Sequence, residues 1–139
     1  MKKRVPVSQI MTKNVVTLST KDDLVTAEEL FKKNRIRHIP VTSGKDVLGM
    51  LSYTDLMRIS FADAIDEHEK DVDTMIYNMF TIEQVMVKDV ICVSSQATVH
   101  EVAVFLAQKE FHALPVVDDD KLVGIVTTTD LINYLLAQY

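Results

Sequence analysis

The 139-residue sequence has few of the residues that build disulfides and glycine-rich cofactor loops: it contains one cysteine and three glycines. Gly44, Gly49 and Gly124 are too sparse to form a phosphate-binding glycine loop. The single Cys92 excludes an internal disulfide and predicts a reducing, cytoplasmic location. It lies in the apolar run 90–93, which favours a buried structural thiol over a nucleophile, because reactive cysteines need electropositive, partly exposed surroundings.

Long runs of charge or of apolar residues are absent as well. The formal net charge is −5 and no basic block interrupts it, so the sequence indicates no nucleic-acid partner. No apolar run is long enough to span a membrane. Basic residues at 2–4 resemble the start of a signal peptide, but polar residues interrupt the stretch that follows, so we expect no leader. No activated nucleophile, acid–base pair or cofactor motif indicates an enzyme.

The sequence does contain an internal repeat of one unit. The segment 10–16 matches 85–91, and three further pairs keep the same separation of 75 residues: Pro40 and Pro115, Gly49 and Gly124, Asp55 and Asp130. A constant separation means that neither copy carries an insertion relative to the other. The chain is therefore predicted to be built from two equivalent units.

Each unit has the pattern β-α-β-β-α. Short strands are predicted at 15–18 and 90–93, helices at 23–34 and 98–109, and hairpins at 37–52 and 112–127, each followed by a helix. One unit has too few apolar residues for a stable domain, so two three-stranded sheets are expected to pack together around a ligand cleft. No proline or glycine lies between Gly49 and Pro115, and apolar residues recur there, which predicts a helical linker.

The end of each hairpin carries hydroxyl groups and an acid. Ser52 and Asp55 stand in the first copy, and Thr127 and Asp130 in the second. The N–H groups at a helix N-terminus are unpaired and suit an anion, so this corner could hold a sugar and a phosphate. The same spacing is a capping box, which would explain the residues without any ligand. The two interpretations can hold together.

Two other patterns could suggest a metal site, but a structural role explains each of them better. Asp118, Asp119 and Asp120 are interpreted as a hairpin turn, because a calcium loop would need a glycine and a distal glutamate at set spacings. The four histidines do not form a close-spaced ligand cluster, so no metal site is expected.

The residues 34–41 with 49–56, and 109–117 with 124–131, resemble the CBS domain, named after cystathionine β-synthase. Two such domains in tandem form a Bateman module, and the resemblance covers nearly the whole chain. It implies an α+β fold of two β-α-β-β-α repeats packed sheet to sheet around a pseudo-twofold axis. The expected bounds are 1–62 for the first repeat with its lead-in, 63–80 for the linker and 81–139 for the second repeat.

The resemblance also implies a function. Such modules bind AMP, ADP, ATP or S-adenosylmethionine between the repeats and regulate an attached or separate effector; no catalytic cofactor is involved. The acids would hold ribose, the hydroxyl residues ribose and phosphate, and the segment before each proline the adenine. The implied ligand residues are Thr17, Arg37, His38, Ile39, Pro40, Met50, Ser52, Thr54 and Asp55 in the first repeat, and His112, Ala113, Leu114, Pro115, Ile125, Thr127, Thr129 and Asp130 in the second.

The two copies differ in charge near these residues. Arg35, Arg37 and Arg58 in the first repeat correspond to Glu110, His112 and Asn133 in the second. Either these arginines are solvated surface residues, or one of them, with Arg37 nearest the motif, reaches a phosphate. In the second case the two sites could differ in phosphate preference. Where many family members have glycine at the helix end, this chain has Asn34-Arg35 and Lys109-Glu110, and Asn34 could serve as a left-handed cap because asparagine tolerates that conformation.

The resemblance further implies a stand-alone regulatory pair that forms a homodimer and acts on an unknown effector protein. The apolar patch Met75, Ile76, Met79 and Phe80 could serve the dimer, or could pack against the second repeat instead. The alternative function is a ligand-free dimerisation scaffold.

Overall fold

The computed structural model describes residues 4–63, 77–109 and 111–139, with side chains at 60–63 excepted. The predicted α+β class with one repeated pattern is confirmed. The described elements are a short 3₁₀ helix, Val7–Gln9, followed by α1 Leu24–Asn34, β1 His38–Ser43, β2 Asp46–Ser52, α2 Tyr53–Asp63, α3 Ile82–Val85, α4 Val99–Lys109, β3 Ala113–Asp118, β4 Lys121–Thr127 and α5 Thr128–Ala137.

Both sheets are antiparallel hairpins of two strands, β1 with β2 and β3 with β4. The strands predicted at 15–18 and 90–93 are shorter than expected, since each forms one parallel bridge, Leu18 to Val41 and Val93 to Val116. The first of them ends because the chain turns directly after the bridge, where the Ser19 N–H donates to the Asp22 carboxylate over 2.8 Å.

Helix α1 shows how local sequence sets the element bounds. Asp23 caps it by accepting a hydrogen bond of 2.7 Å from Thr26 N–H. The expectation of a left-handed Asn34 is wrong: Asn34 stays helical, and its side-chain amide donates to the Leu30 carbonyl. The left-handed residue is Arg35, with φ 53°. Because Asn34 is used inside the helix, the next residue must make the turn.

The chain folds into two compact units. The N-repeat unit comprises Val16–Gly44 and Leu48–Asp89, and the C-repeat unit comprises Met1–Val15, Lys45–Val47 and Val90–Tyr139. Each unit thus holds the sheet and helices of one repeat together with the segment that precedes the other repeat. The bounds 1–62, 63–80 and 81–139 stay a prediction about the sequence repeats.

The start of the chain is part of the C-repeat core. Val7 is fully buried in a cluster with Leu114, Val116 and Val126. The Val7 N–H donates to the Ala97 carbonyl over 2.7 Å. Further along, Thr12 and Ile125 exchange backbone hydrogen bonds of 2.8 and 3.0 Å, which ties this segment to strand β4.

The corresponding segment at 81–88 is part of the N-repeat core. Ile82 is fully buried in a cluster that includes Phe31 and Leu51. Its helix α3 begins with a capping box. Met50 and Val87 then exchange backbone hydrogen bonds of 3.0 and 2.9 Å, as Ile125 does with Thr12.

These crossings explain two of the three glycines. A Cβ added at Gly49 would lie 2.5 Å from Met86 Sδ and 2.7 Å from the Val87 carbonyl oxygen. At Gly124 it would lie 2.6 Å from Met11 Sδ. Since real side chains almost never come this close, glycine is needed where another backbone passes over the strand.

Most of the predicted helical linker 63–80, with Met75 and Ile76 of the apolar patch, lies outside the described residues. Within the patch, Met79 and Phe80 are exposed. Tyr77 is buried, and its hydroxyl donates to a Glu28 carboxylate oxygen at 2.5 Å. Burial raises the pKa of Glu28, but hydrogen bonds from Lys32 and Tyr77 outweigh it and lower that pKa overall.

In the described parts of the chain, no helix has the length and apolar character needed to cross a membrane.

Candidate functional site

The corner of the N-repeat unit lies where β2 passes into α2. The Ser52 hydroxyl oxygen accepts a hydrogen bond of 3.0 Å from Asp55 N–H, which caps the helix. The Tyr53 N–H donates to the Arg37 carbonyl over 2.8 Å. These two bonds bring Arg37, Ser52 and Asp55 to the first turn of one helix.

Asp55 is the acid of this corner, and its carboxylate already has a cationic neighbour. Arg58 Nη1 lies 3.3 Å from Asp55 Oδ1. The Arg58 side chain is 74% exposed and that of Asp55 is 20% exposed, so the pair lies at the surface. Thr54, the residue before Asp55 on the helix, is also exposed.

The other predicted residues of the N-repeat unit divide into accessible and buried groups. The Leu18 N–H donates to the Pro40 carbonyl over 3.0 Å, so the exposed Thr17 lies beside Pro40. His38 is half-buried. Ile39 and Met50 are buried, and Ile39 belongs to the hydrophobic core. Any contact of these two side chains with a base would therefore come from the edge of the core.

The corner of the C-repeat unit has the same backbone arrangement but a tighter cap. Thr127 Oγ1 accepts from Asp130 N–H at 3.2 Å, while Asp130 Oδ2 accepts from Thr127 N–H at 2.9 Å. The Thr128 N–H donates to the His112 carbonyl over 3.0 Å. His112 and Thr129 are exposed, whereas Leu114, Pro115 and Ile125 are buried. Ala113 is half-buried and pairs with Thr127 across the sheet.

The capping interpretation is therefore confirmed for Thr127 and Asp130, since both bonds of the box are present. It does not exclude a ligand. An ionised carboxylate has two oxygens and about four lone-pair positions, and one hydrogen bond to a backbone N–H uses only one of them.

Cys92 occupies a place that the sequence interpretation did not assign to the site. It lies 75 positions after Thr17. The Val93 N–H donates to the Pro115 carbonyl over 3.0 Å, so Cys92 lies beside Pro115 as Thr17 lies beside Pro40. The constant separation of the repeats was the signal that could have identified it. Burial raises the pKa of the half-buried Cys92 thiol, which agrees with a thiol that is not an activated nucleophile.

The acidic stretch at 118–120 forms the predicted hairpin turn between β3 and β4. Asp119 and Asp120 take left-handed conformations with φ of 50° and 64°. The carboxylate of Asp118 accepts from the Ser95 hydroxyl at 2.5 Å and from the Ser95 N–H at 3.1 Å, and these bonds lower the pKa of Asp118. In ranges 4–63, 77–109 and 111–139, no three potential metal-ligating side chains lie together.

Comparison with known proteins gives the family. The model of the CBS domain matches residues 7–62 and 82–137. The protein MJ1225 of Methanocaldococcus jannaschii is 30% identical over 131 residues, which is 94% of this chain. The chain spans 42% of the length of MJ1225, and 44% and 43% of two further relatives.

Solved structures agree on the fold. The CBS domain pair of protein MJ0100, in complex with 5-methylthioadenosine and S-adenosyl-L-methionine, superposes with a TM-score of 0.81 at 24% identity and covers 97% of this chain and 98% of its own. The structure of CBSX2 in complex with AMP has a TM-score of 0.79 at 22% identity and covers 96% of this chain and 97% of its own. With both repeats matched by the domain model, the chain belongs to the CBS-domain family and carries two copies of the domain.

Proposed function

We propose that this protein is a regulatory module that binds an adenine nucleotide, AMP, ADP or ATP, or S-adenosylmethionine. The observation that carries the proposal is the corner at the start of α2 and again at the start of α5. Each combines a carboxylate, neighbouring hydroxyls and a helix N-terminus. The solved complexes of MJ0100 and CBSX2 support the ligand class, since their ligands are all adenine nucleosides or nucleotides.

Each group of the corner suits one part of such a ligand. A carboxylate such as Asp55 can accept hydrogen bonds from two neighbouring ribose hydroxyls. The exposed hydroxyl of Thr54, at the start of the helix, can donate to a phosphate, which the helix N-terminus also attracts. Thr129 and Asp130 would do the same in the C-repeat unit. The segments 38–40 and 113–115, beside these corners, would contact the base.

The alternative is a ligand-free scaffold in which the acids serve only as caps. The reciprocal bonds of Thr127 and Asp130 favour that alternative for the C-repeat unit, because capping accounts for them completely. It accounts less well for Asp55, whose carboxylate pairs with an exposed arginine.

The proposal includes no catalysis. The sequence carries no cofactor motif, so the nucleotide would be a regulatory ligand and not a catalytic cofactor. Binding would be signalled to a separate effector protein, as the family resemblance implies, and a cytoplasmic location agrees with the single cysteine.

A homodimer is the second part of the proposal. The outer face of α4 and α5 exposes Val104, Ile132, Leu135 and Leu136, and Phe111 stands beside it. An exposed apolar face of this kind marks an interaction surface. In the N-repeat unit, Phe31 and Leu56 belong to a core cluster that also contains the buried Tyr77. Their counterparts in the C-repeat unit, Leu106 and Leu131, line the groove next to the exposed apolar face. A second copy of the chain is the partner that we propose for the uncovered face.

Light scattering tests the dimer. Ile132→Lys should convert a dimer to a monomer, because it places a charge in the apolar face. Leu48→Lys is the matched control, since Leu48 is also an exposed aliphatic residue but lies on β2. A wild-type monomer, or an equal effect of both changes, would contradict this part of the proposal.

Calorimetric titration tests the ligand. AMP, ADP, ATP and S-adenosylmethionine are added separately, with GMP as the control for the base. At least one adenine ligand should bind, and at about 100 times its dissociation constant it should stabilise the fold by roughly 2.7 kcal/mol in a thermal melt. Neither heat nor a melting shift with any of them would favour the scaffold.

A further inference from the structure

The two corners share a backbone arrangement but carry different charges. Position 37 is arginine in the first repeat, and its equivalent 112 is histidine in the second. Position 58 is arginine, and its equivalent 133 is asparagine. The acids Asp55 and Asp130 are the same in both, so the positive charge is confined to one corner.

The backbone holds the first of these positions at the helix start. The carbonyl of residue 37 accepts the N–H of Tyr53, the first residue of α2, at 2.8 Å. The carbonyl of residue 112 accepts the N–H of Thr128, the first residue of α5, at 3.0 Å. The side chain at 37 or 112 therefore starts from the same place in each unit, next to the N-terminus that attracts an anion.

The second position, residue 58 or 133, differs in how it interacts with the acid of its corner. In the N-repeat unit, Asp55 Oδ1 lies 3.3 Å from Arg58 Nη1, so the acid holds a guanidinium beside the corner. In the C-repeat unit, Asp130 accepts from its own Thr127 N–H, and the residue at 133 has no charge. The first corner thus has two arginine residues beside its helix start, Arg37 and Arg58, and the second corner has none at the equivalent positions.

A third difference points the same way. The exposed hydroxyl of Thr17 is replaced by the half-buried thiol of Cys92 in the C-repeat unit. A thiol is a weak hydrogen-bond donor. The C-repeat unit therefore offers a ligand one strong hydrogen-bond donor fewer, at the position beside the proline.

We infer that the two sites take different ligands: the N-repeat corner takes an adenine nucleotide through its phosphate, and the C-repeat corner takes an adenine nucleoside that has no phosphate. The inference rests on the proposed function. Guanidinium groups bind phosphate with two parallel charge-assisted hydrogen bonds, which an imidazole or an amide cannot supply.

The experiment compares AMP with adenosine at each corner by calorimetric titration. Asp130→Asn leaves the N-repeat corner to be measured alone, and Asp55→Asn leaves the C-repeat corner. At the N-repeat corner, AMP should bind about 10- to 100-fold more tightly than adenosine, the range expected for charge-assisted hydrogen bonds to phosphate. At the C-repeat corner, adenosine should bind as tightly as AMP or more tightly.

Exchanging the residues between corners provides the matched variants. Arg37→His should remove the preference for AMP at the N-repeat corner, and His112→Arg should create one at the C-repeat corner. Each change introduces the residue that the other repeat already carries at the same backbone position, so both variants are compatible with the fold.

Three outcomes would overturn the inference or its basis. Equal ratios of AMP to adenosine affinity at the two corners, or unchanged ratios after both exchanges, would overturn the inference and leave the proposed function standing. Failure of the wild-type chain to bind any of AMP, adenosine, ADP, ATP and S-adenosylmethionine would overturn the proposed function itself.

Discussion

Truncating the buried side chain of Val7, at the start of the chain, should destabilise the C-repeat unit. Val7 is fully buried against Leu114, Val116 and Val126. Val7→Ala removes two methyl-sized groups, which costs about 1.6 kcal/mol in transfer free energy. The cavity left behind raises the expected loss to about 2–3 kcal/mol.

Native-state hydrogen exchange measures where the loss is felt. In Val7→Ala, the amides of Ile125 and Val93 should exchange about 30- to 140-fold faster, since about 1.4 kcal/mol is a factor of ten. The amide of Met50, in the N-repeat unit, should keep most of its protection. The matched variant is Ile82→Ala, because Ile82 occupies the equivalent position and is buried in the N-repeat core.

Ile82→Ala should reverse the pattern, with faster exchange in the N-repeat unit. If Val7→Ala instead accelerated exchange mainly in residues 16–44, or if both variants affected the two units equally, the assignment of each lead-in segment to the other repeat's core would be wrong.

Three further predictions concern the end of α1, two glycines and the acid limb of stability. Arg35→Gly should raise the free energy of unfolding by about 0.5–1 kcal/mol, because glycine adopts the left-handed cap without strain, whereas Asn34→Gly should lower it; denaturant melts compare the two. Gly124→Ala should destabilise the chain in the same assay, because Met11 Sδ would lie 2.6 Å from the new Cβ. Gly44→Ala should not stabilise the chain either, because φ is 61° at this position although the space around it is open. Hydrogen bonds in the folded state lower the pKa of Asp118 from its ordinary value near 3.8, so they stabilise the fold above that pH. This stability is lost as the pH falls through the lower pKa of the folded state. Asp118→Asn should therefore flatten the acid limb of the plot of stability against pH, and an unchanged limb would contradict this.

The repeated fold and the place of the corners could be predicted from the sequence. Apolar residues at helical spacing locate α1 and α4, and the equivalent prolines and glycines locate the hairpins. The Ser52 and Asp55 pair stands directly after a strand, and the helix begins there in the structure. These features are local, so spacing along the chain is enough to identify them.

The packing of the lead-in segments could not be predicted in this way. Val7 and Ile82 occupy equivalent places, so burying each in its own repeat or in the other satisfies the same apolar pattern. Only three-dimensional packing distinguishes the two. The left-handed Arg35 was missed because propensity favours asparagine, whereas the Asn34 amide is used to bond the Leu30 carbonyl.

Cys92 was missed for a different reason. Its apolar neighbours suggested a purely structural thiol, and that setting concealed its equivalence to Thr17. The ligand roles of the seventeen predicted residues stay a prediction.

Calorimetric titration of Asp55→Asn, Asp130→Asn and the double variant tests the nucleotide-binding role most directly. Each single change should weaken binding at its own corner by about 10- to 100-fold, since it replaces a charged acceptor of ribose hydrogen bonds. The double variant should lose both sites, while its ligand-free melting temperature stays nearly unchanged, because asparagine and aspartate cap helices about equally well. Unchanged affinity in all three variants, with lowered ligand-free stability, would show instead that Asp55 and Asp130 are structural caps.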